Sequence, residues 1–404
     1  MKWYNNEFLR AIPKTDVHVH LDGSLRLSTL IELAQDKHIE LPAYTEQGLI
    51  DTVFKTSYGN LNEYLAGFAY TTRVMDDPES LERIAYELAE DNILEGVRYL
   101  EVRFAPQLHI RPGMGFREVM EAVDRGLRRK RDEFNAALTG DEPEFEYGMI
   151  VCAMRFFNEH FSPYFADLVH AHPYSSEREI IQYASLELAR AAVQLRGESD
   201  IQIVAFDLAG SEYGYPASAH QASYDHVHKN FLNKTVHAGE AYGPESIFQA
   251  ITDLHADRIG HGLHLFHEHM IHDEKIRDRP GYLHGLQQII ADKRITLEVC
   301  LSSNLQTSPE IPSVGQHPLG QMLDKKLSVT LCTDNRLVSH TTVTNEIALA
   351  LDNFSITPGQ LKDMIIYGFK RSFYYRDYGN KRSYVRKIIN YYEKMEKEFA
   401  IQDP

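Results

Sequence analysis

Two histidines one residue apart, His18 and His20 in the segment TDVHVHLDGS (15–24), constrain this chain more than any other feature. The segment alternates like a strand, and residues i and i+2 of a strand lie on one face. Both imidazoles therefore point the same way and can share a metal ion. They make only part of a site, because a catalytic zinc takes three or more protein ligands and keeps an open position. The rest of the chain must bring further ligands, and an acid–base group, to the end of the same strand.

A regular alternation of elements supplies the means. Strands are predicted at 97–104, 146–154, 201–208, 234–238, 258–262, 296–301 and 327–333, which with the opening strand makes eight. Helical patterns separate most of them: 80–95, bracketed by Pro78 and Gly96, then 116–138, 179–195, 218–232 and one opening at Pro244. Strands alternating with helices argue for a parallel sheet covered by helices. Eight such units suggest an α/β protein closed as a (β/α)8 TIM barrel. No GxGxxG or P-loop opens a helix after a strand, so nucleotide-phosphate motifs are absent. At 404 residues the chain is expected to be one barrel domain, 1–404, with insertions at about 24–96, 158–176 and 265–282 and a helical C-terminal region from Pro358. The stretch between the first two strands is too long for a simple crossover and is predicted to form a lid or pocket wall.

In such a barrel the catalytic groups stand at the C-terminal ends of the strands. His18 and His20 end the first strand, Gly210 follows the fourth in DLAGSE, and His237 and Glu240 end the fifth in VHAGE. His261 ends the sixth in RIGHGLH, Ser302, Ser303 and Asn304 follow the seventh, and Asp334 and Asn335 end the eighth. One histidine at a strand end is commonly structural. Four histidines with a glutamate and an aspartate on one rim call for a shared partner, since polar groups there must be paired or solvated. The ligand set is read as His18, His20, His237 and Asp334, a donor set that suits zinc. Glu240, three residues past His237, is the candidate proton donor. His261, left over from the ligand count, is the candidate base or orienter of an attacking water. His226 and His228 fall in a helical pattern, where i and i+2 do not share a face, and are read as surface. His109, His170 and His172 are read as structural, and the run HLFHEHMIH (264–272) chiefly as a polar loop.

Composition narrows the partners. A net charge of −16 argues against nucleic acid. The basic run Arg128–Arg131 sits in a helical pattern beside Asp132 and Glu133 and is read as a solvated face. No run approaches the roughly 18 apolar residues of a membrane span, and the first residues lack a signal peptide's apolar stretch, so a cytoplasmic enzyme is expected. Cys152, Cys300 and Cys332 are odd in number and far apart, and read as buried thiols.

The ordered set HVHLDGS, EVRFAPQ, DLAGSE, TVHAGE, RIGHGLH, EVCLSSN, HPL and LCTDN resembles the adenosine deaminase family of the amidohydrolase superfamily, over most of the chain. The resemblance implies one zinc ion per chain and hydrolytic removal of the 6-amino group of adenosine, and of 2′-deoxyadenosine, as in purine salvage. It implies that Glu240 protonates ring N1, that His261 holds the water, and that Asp334 both ligates zinc and orients the nucleophile. It places Gly210 N–H at ring N3, Asp22 at a ribose hydroxyl and Asn335 at ring N7, with His20 among the substrate contacts. Asp22 stands where adenine-specific relatives resemble HLHLEG, which favours a nucleoside. TDN replaces the TDD of many relatives; an amide can donate to N7 without first being protonated. Ser211 replaces the acid of the commoner DLAGDE. The alternatives are a deaminase of another 6-aminopurine, either a modified adenosine or adenine, and a non-catalytic nucleoside-binding barrel. A two-metal hydrolase is disfavoured, since the fourth strand lacks a bridging lysine. The oligomeric state is left open.

Overall fold

The computed structural model describes residues 4–401. Eight parallel strands pair in sequence order: β1 (Lys14–His20), β2 (Val97–Phe104), β3 (Glu146–Met154), β4 (Ile203–Ala209), β5 (Asn233–Ala238), β6 (Arg258–His261), β7 (Thr296–Val299) and β8 (Val329–Leu331). This is the (β/α)8 barrel predicted from the alternation. The ring closes between β8 and β1 through an isolated parallel bridge between Val19 and Asp334. Asp334 N–H donates to the His18 carbonyl at 2.8 Å, and His20 N–H donates to the Asp334 carbonyl at 2.7 Å. The closing bonds of the barrel are thus made by three of the residues read as metal ligands.

Parallel strands under helices are buried on both faces. In β1, Val17 and Val19 join the apolar layer, while His18 and His20 turn to the other face. The same alternation in β2 separates Leu100, Val102 and Phe104 from Glu101 and Arg103. The barrel interior is consequently polar. Arg103 bonds Asp207 of β4 at 2.9 Å and Glu298 of β7 at 2.8 Å. Arg258 of β6 bonds Glu298 at 2.6 Å and pairs closely with Glu101. None of these five side chains is more than 1% exposed. Buried charges are tolerable only when paired in this way.

The insertion after β1 folds into short helices, among them Leu61–Leu65 and Phe68–Val74, before the long helix Pro78–Leu94 leads into β2. The seventh strand is shorter than predicted. It ends at Val299, because Leu301 opens a helix (Leu301–Thr307) that carries Ser302, Ser303 and Asn304. The C-terminal region is helical, in Pro358–Arg371 and Tyr378–Glu398. Arg128 and Arg129 pair with Asp124, Asp200 and Glu82, and Lys130 with Glu90, so the basic run forms a surface ion-pair lattice. All three cysteines are buried and free. No helix among the described residues is long and apolar enough to cross a membrane.

Candidate active site

The strand ends open onto a cavity of about 470 Å³, within the range of small-molecule sites. His20, Asp22, Gly210, His237, Glu240, His261, Asp334 and Asn335 all line it. His18 lies beneath, fully buried, in edge contact with the rings of His20, His237 and His261. The opposite wall comes from the insertion, through Leu61, Tyr64, Leu65 and Phe68, so the predicted pocket wall is found.

Donor atoms of His18, His20, His237 and Asp334 lie within 4.8 Å of one another. His20 Nε2 is 3.1 Å from His237 Nε2, and Asp334 Oδ1 is 3.4 Å from His18 Nε2 and 3.5 Å from His20 Nε2. His18 Nε2 is buried with no hydrogen-bond partner. An orphaned nitrogen facing two imidazoles and a carboxylate fits a divalent cation with a preference for nitrogen ligands.

Three of the four donors are held from behind. His18 Nδ1 is 2.8 Å from Glu298 Oε2, and His237 Nδ1 is 3.1 Å from Asp207 Oδ2. These carboxylates direct the Nδ1 protons, leaving both Nε2 lone pairs for the metal. Burial would raise the Asp207 and Glu298 carboxyls. The neighbouring His237 ring and the Arg103 guanidinium outweigh it at Asp207, and Arg103 and Arg258 at Glu298, so both stay ionised well below the usual range. Ser303 Oγ donates to Asp334 Oδ2 at 2.5 Å, fixing which oxygen turns to the histidines.

Glu240 Oε2 and His261 Nε2 lie 3.6 Å apart, beside Asp334. Burial, with the Asp334 charge beside it, pushes the Glu240 carboxyl well above its ordinary value, so it favours the protonated form. Its loop is drawn together by Glu212, which accepts from the N–H groups of Gly239, Glu240, Ala241 and Tyr242 at 2.7–3.0 Å.

A hydrogen-bond chain fixes the His261 tautomer. The Leu319 N–H donates to His317 Nδ1 at 3.0 Å, which leaves the His317 proton on Nε2. That proton points to Asn304 Oδ1 at 3.2 Å, and Asn304 Nδ2 donates to His261 Nδ1 at 3.0 Å. Neutral His261 therefore carries its proton on Nε2, toward Glu240 and the cavity. Both His261 and Asp334 have left-handed backbones, at φ 63° and 60°, and Gly210 has φ 100°. Such conformations cluster where a side chain or N–H must be aimed against local preference.

Asp22 is 4% exposed, and its Oδ1 has no hydrogen-bond partner. Burial raises its carboxyl to about 7. Asn335 donates to Tyr64 Oη at 2.8 Å. The remaining histidines stay out of the cluster. His109 bonds the Met75 carbonyl, and His264 Nδ1 bonds His267 Nδ1 at 2.7 Å without a third ligand converging on them among the described residues. His172 bonds a helix carbonyl, and His226 and His228 lie along the helix Gln221–Lys229.

A (β/α)8 barrel with a buried His–Asp donor cluster at its strand ends defines the metal-barrel class of enzyme. A family model described as adenosine deaminase matches residues 13–173 and 176–391, and the chain belongs to this metal-dependent family. Adenosine deaminase 1 of Streptomyces coelicolor is 35% identical over 368 residues, which cover 90% of this chain and 83% of that protein. The crystal structure of adenine deaminase from Arthrobacter aurescens superposes with a TM-score of 0.74 at 20% identity, covering 95% of this chain and all of that one (100%). The Arabidopsis N6-mAMP deaminase gives a TM-score of 0.72 at 25% identity, covering 95% and 99%.

Proposed function

We propose that this chain hydrolyses adenosine to inosine and ammonia at the cavity described above, as one barrel domain holding one zinc ion. The observation that carries this reading is the pairing of a buried Glu240, 3.6 Å from His261, with a nitrogen-rich donor cluster in one cavity. The reading of adenosine as substrate draws support from the 35% identity to a relative named adenosine deaminase.

His18, His20, His237 and Asp334 would hold the zinc, which supplies the Lewis acidity that makes water a nucleophile near neutral pH. The protein's own residues then have distinct tasks. Glu240 gives its proton to ring N1 as the water oxygen adds to C6. The hydroxyl proton of the adduct then passes to the amino group, which leaves as ammonia as the C6–N bond breaks. N1 keeps its proton, and the proton the water gives up on activation restores Glu240. Neutral His261, with its Nε2–H toward the cavity, orients the attacking water and steadies developing negative charge. That tautomer favours the orienting role over the base. Asp334 combines ligation with alignment of the nucleophile. The unpartnered Asp22 Oδ1 accepts from a ribose hydroxyl, Gly210 N–H approaches ring N3, and Asn335 donates to ring N7. The apolar insertion wall excludes water from the opposite side of the base, which strengthens these contacts.

Arg73 and His160 stand at the exposed edge of the cavity and favour a second reading, a 5′-phosphorylated adenosine. Turnover of adenosine, AMP and adenine by the purified protein, followed by ultraviolet absorbance, separates the readings. Preference for adenosine is expected. Preference for AMP or adenine overturns the nucleoside assignment.

A further inference from the structure

We infer that Tyr64 is a positioning residue that decides which end of the Asn335 amide faces the purine ring, an inference that rests on the reading of Asn335 as the N7 donor. Asn335 follows Asp334 at the end of β8. Its backbone is held on both sides: its N–H donates to the Thr333 carbonyl at 2.7 Å, and its carbonyl accepts from Ser339 N–H at 2.9 Å. The side chain is 3% exposed. Nδ2 donates to Tyr64 Oη at 2.8 Å. Oδ1 has no hydrogen-bond partner and is turned against Gly23, where a Cβ would come within 1.8 Å of it. Tyr64 belongs to the helix Leu61–Leu65 of the covering insertion, and its Oη lies 2.8 Å from Ser339 Oγ.

A carboxamide has unlike ends, one accepting hydrogen bonds and the other offering two N–H groups. Ring N7 carries no proton and needs a donor. A phenol has one proton to give. With that proton on Ser339 Oγ, Tyr64 Oη accepts one N–H of Asn335, and the second N–H is free for the substrate. Remove Oη, and no other hydrogen-bond partner distinguishes Oδ1 from Nδ2. The amide can then turn over and set its carbonyl lone pair against that of N7. An aspartic acid at this position has no such problem, because either of its equivalent oxygens can carry the proton. Tyr64 matters here because residue 335 is an asparagine.

The test is a double-mutant cycle on the zinc-loaded full chain, with Tyr64→Phe made in the Asn335 and Asn335→Asp backgrounds. Two quantities are read: kcat/KM for adenosine, and the inhibition constant of 7-deazaadenosine, which has C–H in place of N7. Tyr64→Phe is expected to lower adenosine kcat/KM by about tenfold in the Asn335 background and by less than about threefold in the Asn335→Asp background, in line with losing one aligned buried hydrogen bond. The 7-deazaadenosine constant should stay within about twofold. Equal losses in both backgrounds, an equal weakening of 7-deazaadenosine, or no loss at all overturns the inference. If Tyr64→Phe does not fold, Ser339→Ala takes its place. It removes the hydroxyl 2.8 Å from Tyr64 Oη, to which the inference gives the phenolic proton, and should lower adenosine kcat/KM by about threefold or more; an unchanged value overturns the inference. Failure of the unaltered protein to deaminate adenosine refutes the underlying reading instead.

Discussion

Glu298 stands directly behind His18, its Oε2 2.8 Å from His18 Nδ1, with both side chains fully buried. A partner in that place fixes the ring's tautomer and raises the basicity of Nε2. Glu298→Gln keeps the shape but removes the charge. Zinc affinity, measured by competition with a chelator, is expected to fall by about 10–100-fold. Unchanged affinity would remove Glu298 from the support of the metal site.

Arg103 lies between Asp207 and Glu298 and also donates to the Val17 carbonyl at 2.6 Å. Arg103→Met would leave two buried carboxylates without this guanidinium. The expected loss is about 3–5 kcal/mol in urea unfolding, the usual cost of breaking a buried ion pair from one side. A loss below ~1 kcal/mol, the range of an exposed pair, would show that water reaches the barrel interior.

Glu346 gives a pH signature away from the His–Asp donor cluster. Burial raises its carboxyl from 4.5 to about 7, although Ser302 N–H and the hydroxyls of Ser302 and Thr341 bond to it. The folded state therefore holds this proton more tightly than the unfolded state. The resulting stabilisation is complete below the ordinary value of 4.5 and is lost as pH rises through about 7. Relative to Glu346→Gln, the unaltered protein should lose Tm steadily between about pH 5 and 8. A Tm difference independent of pH contradicts the shift.

The parts of the site that were legible in sequence are those that end a strand. His18, His20, His237, His261 and Asp334 each interrupt an apolar run where a barrel puts its chemistry. Asp207, Arg103 and Glu298 went unread, though they carry a signal of their own. They are charges in the middle of parallel strands (IVAFDLA, VRYLEVRF, TLEV), where both faces are buried and a charge must have a partner. Their partners are 195 and 104 residues apart in sequence from Arg103, so spacing could not pair them. The His317–Asn304–His261 chain was hidden for the same reason. The insertion was legible as a wall by its length alone, but not that Tyr64 would reach Asn335 across 271 residues.

The central claim is that Glu240 is the proton donor of a zinc-dependent deamination. Its most direct test follows the absorbance change as adenosine becomes inosine, with the unaltered protein and Glu240→Gln each loaded with one equivalent of zinc, and with the metal removed. The unaltered zinc form should turn over adenosine, and the stripped protein should not. Glu240→Gln should retain zinc but lose about 10²–10⁴-fold in kcat, the usual contribution of a general acid. Undiminished turnover by Glu240→Gln, or by the stripped protein, would contradict the account.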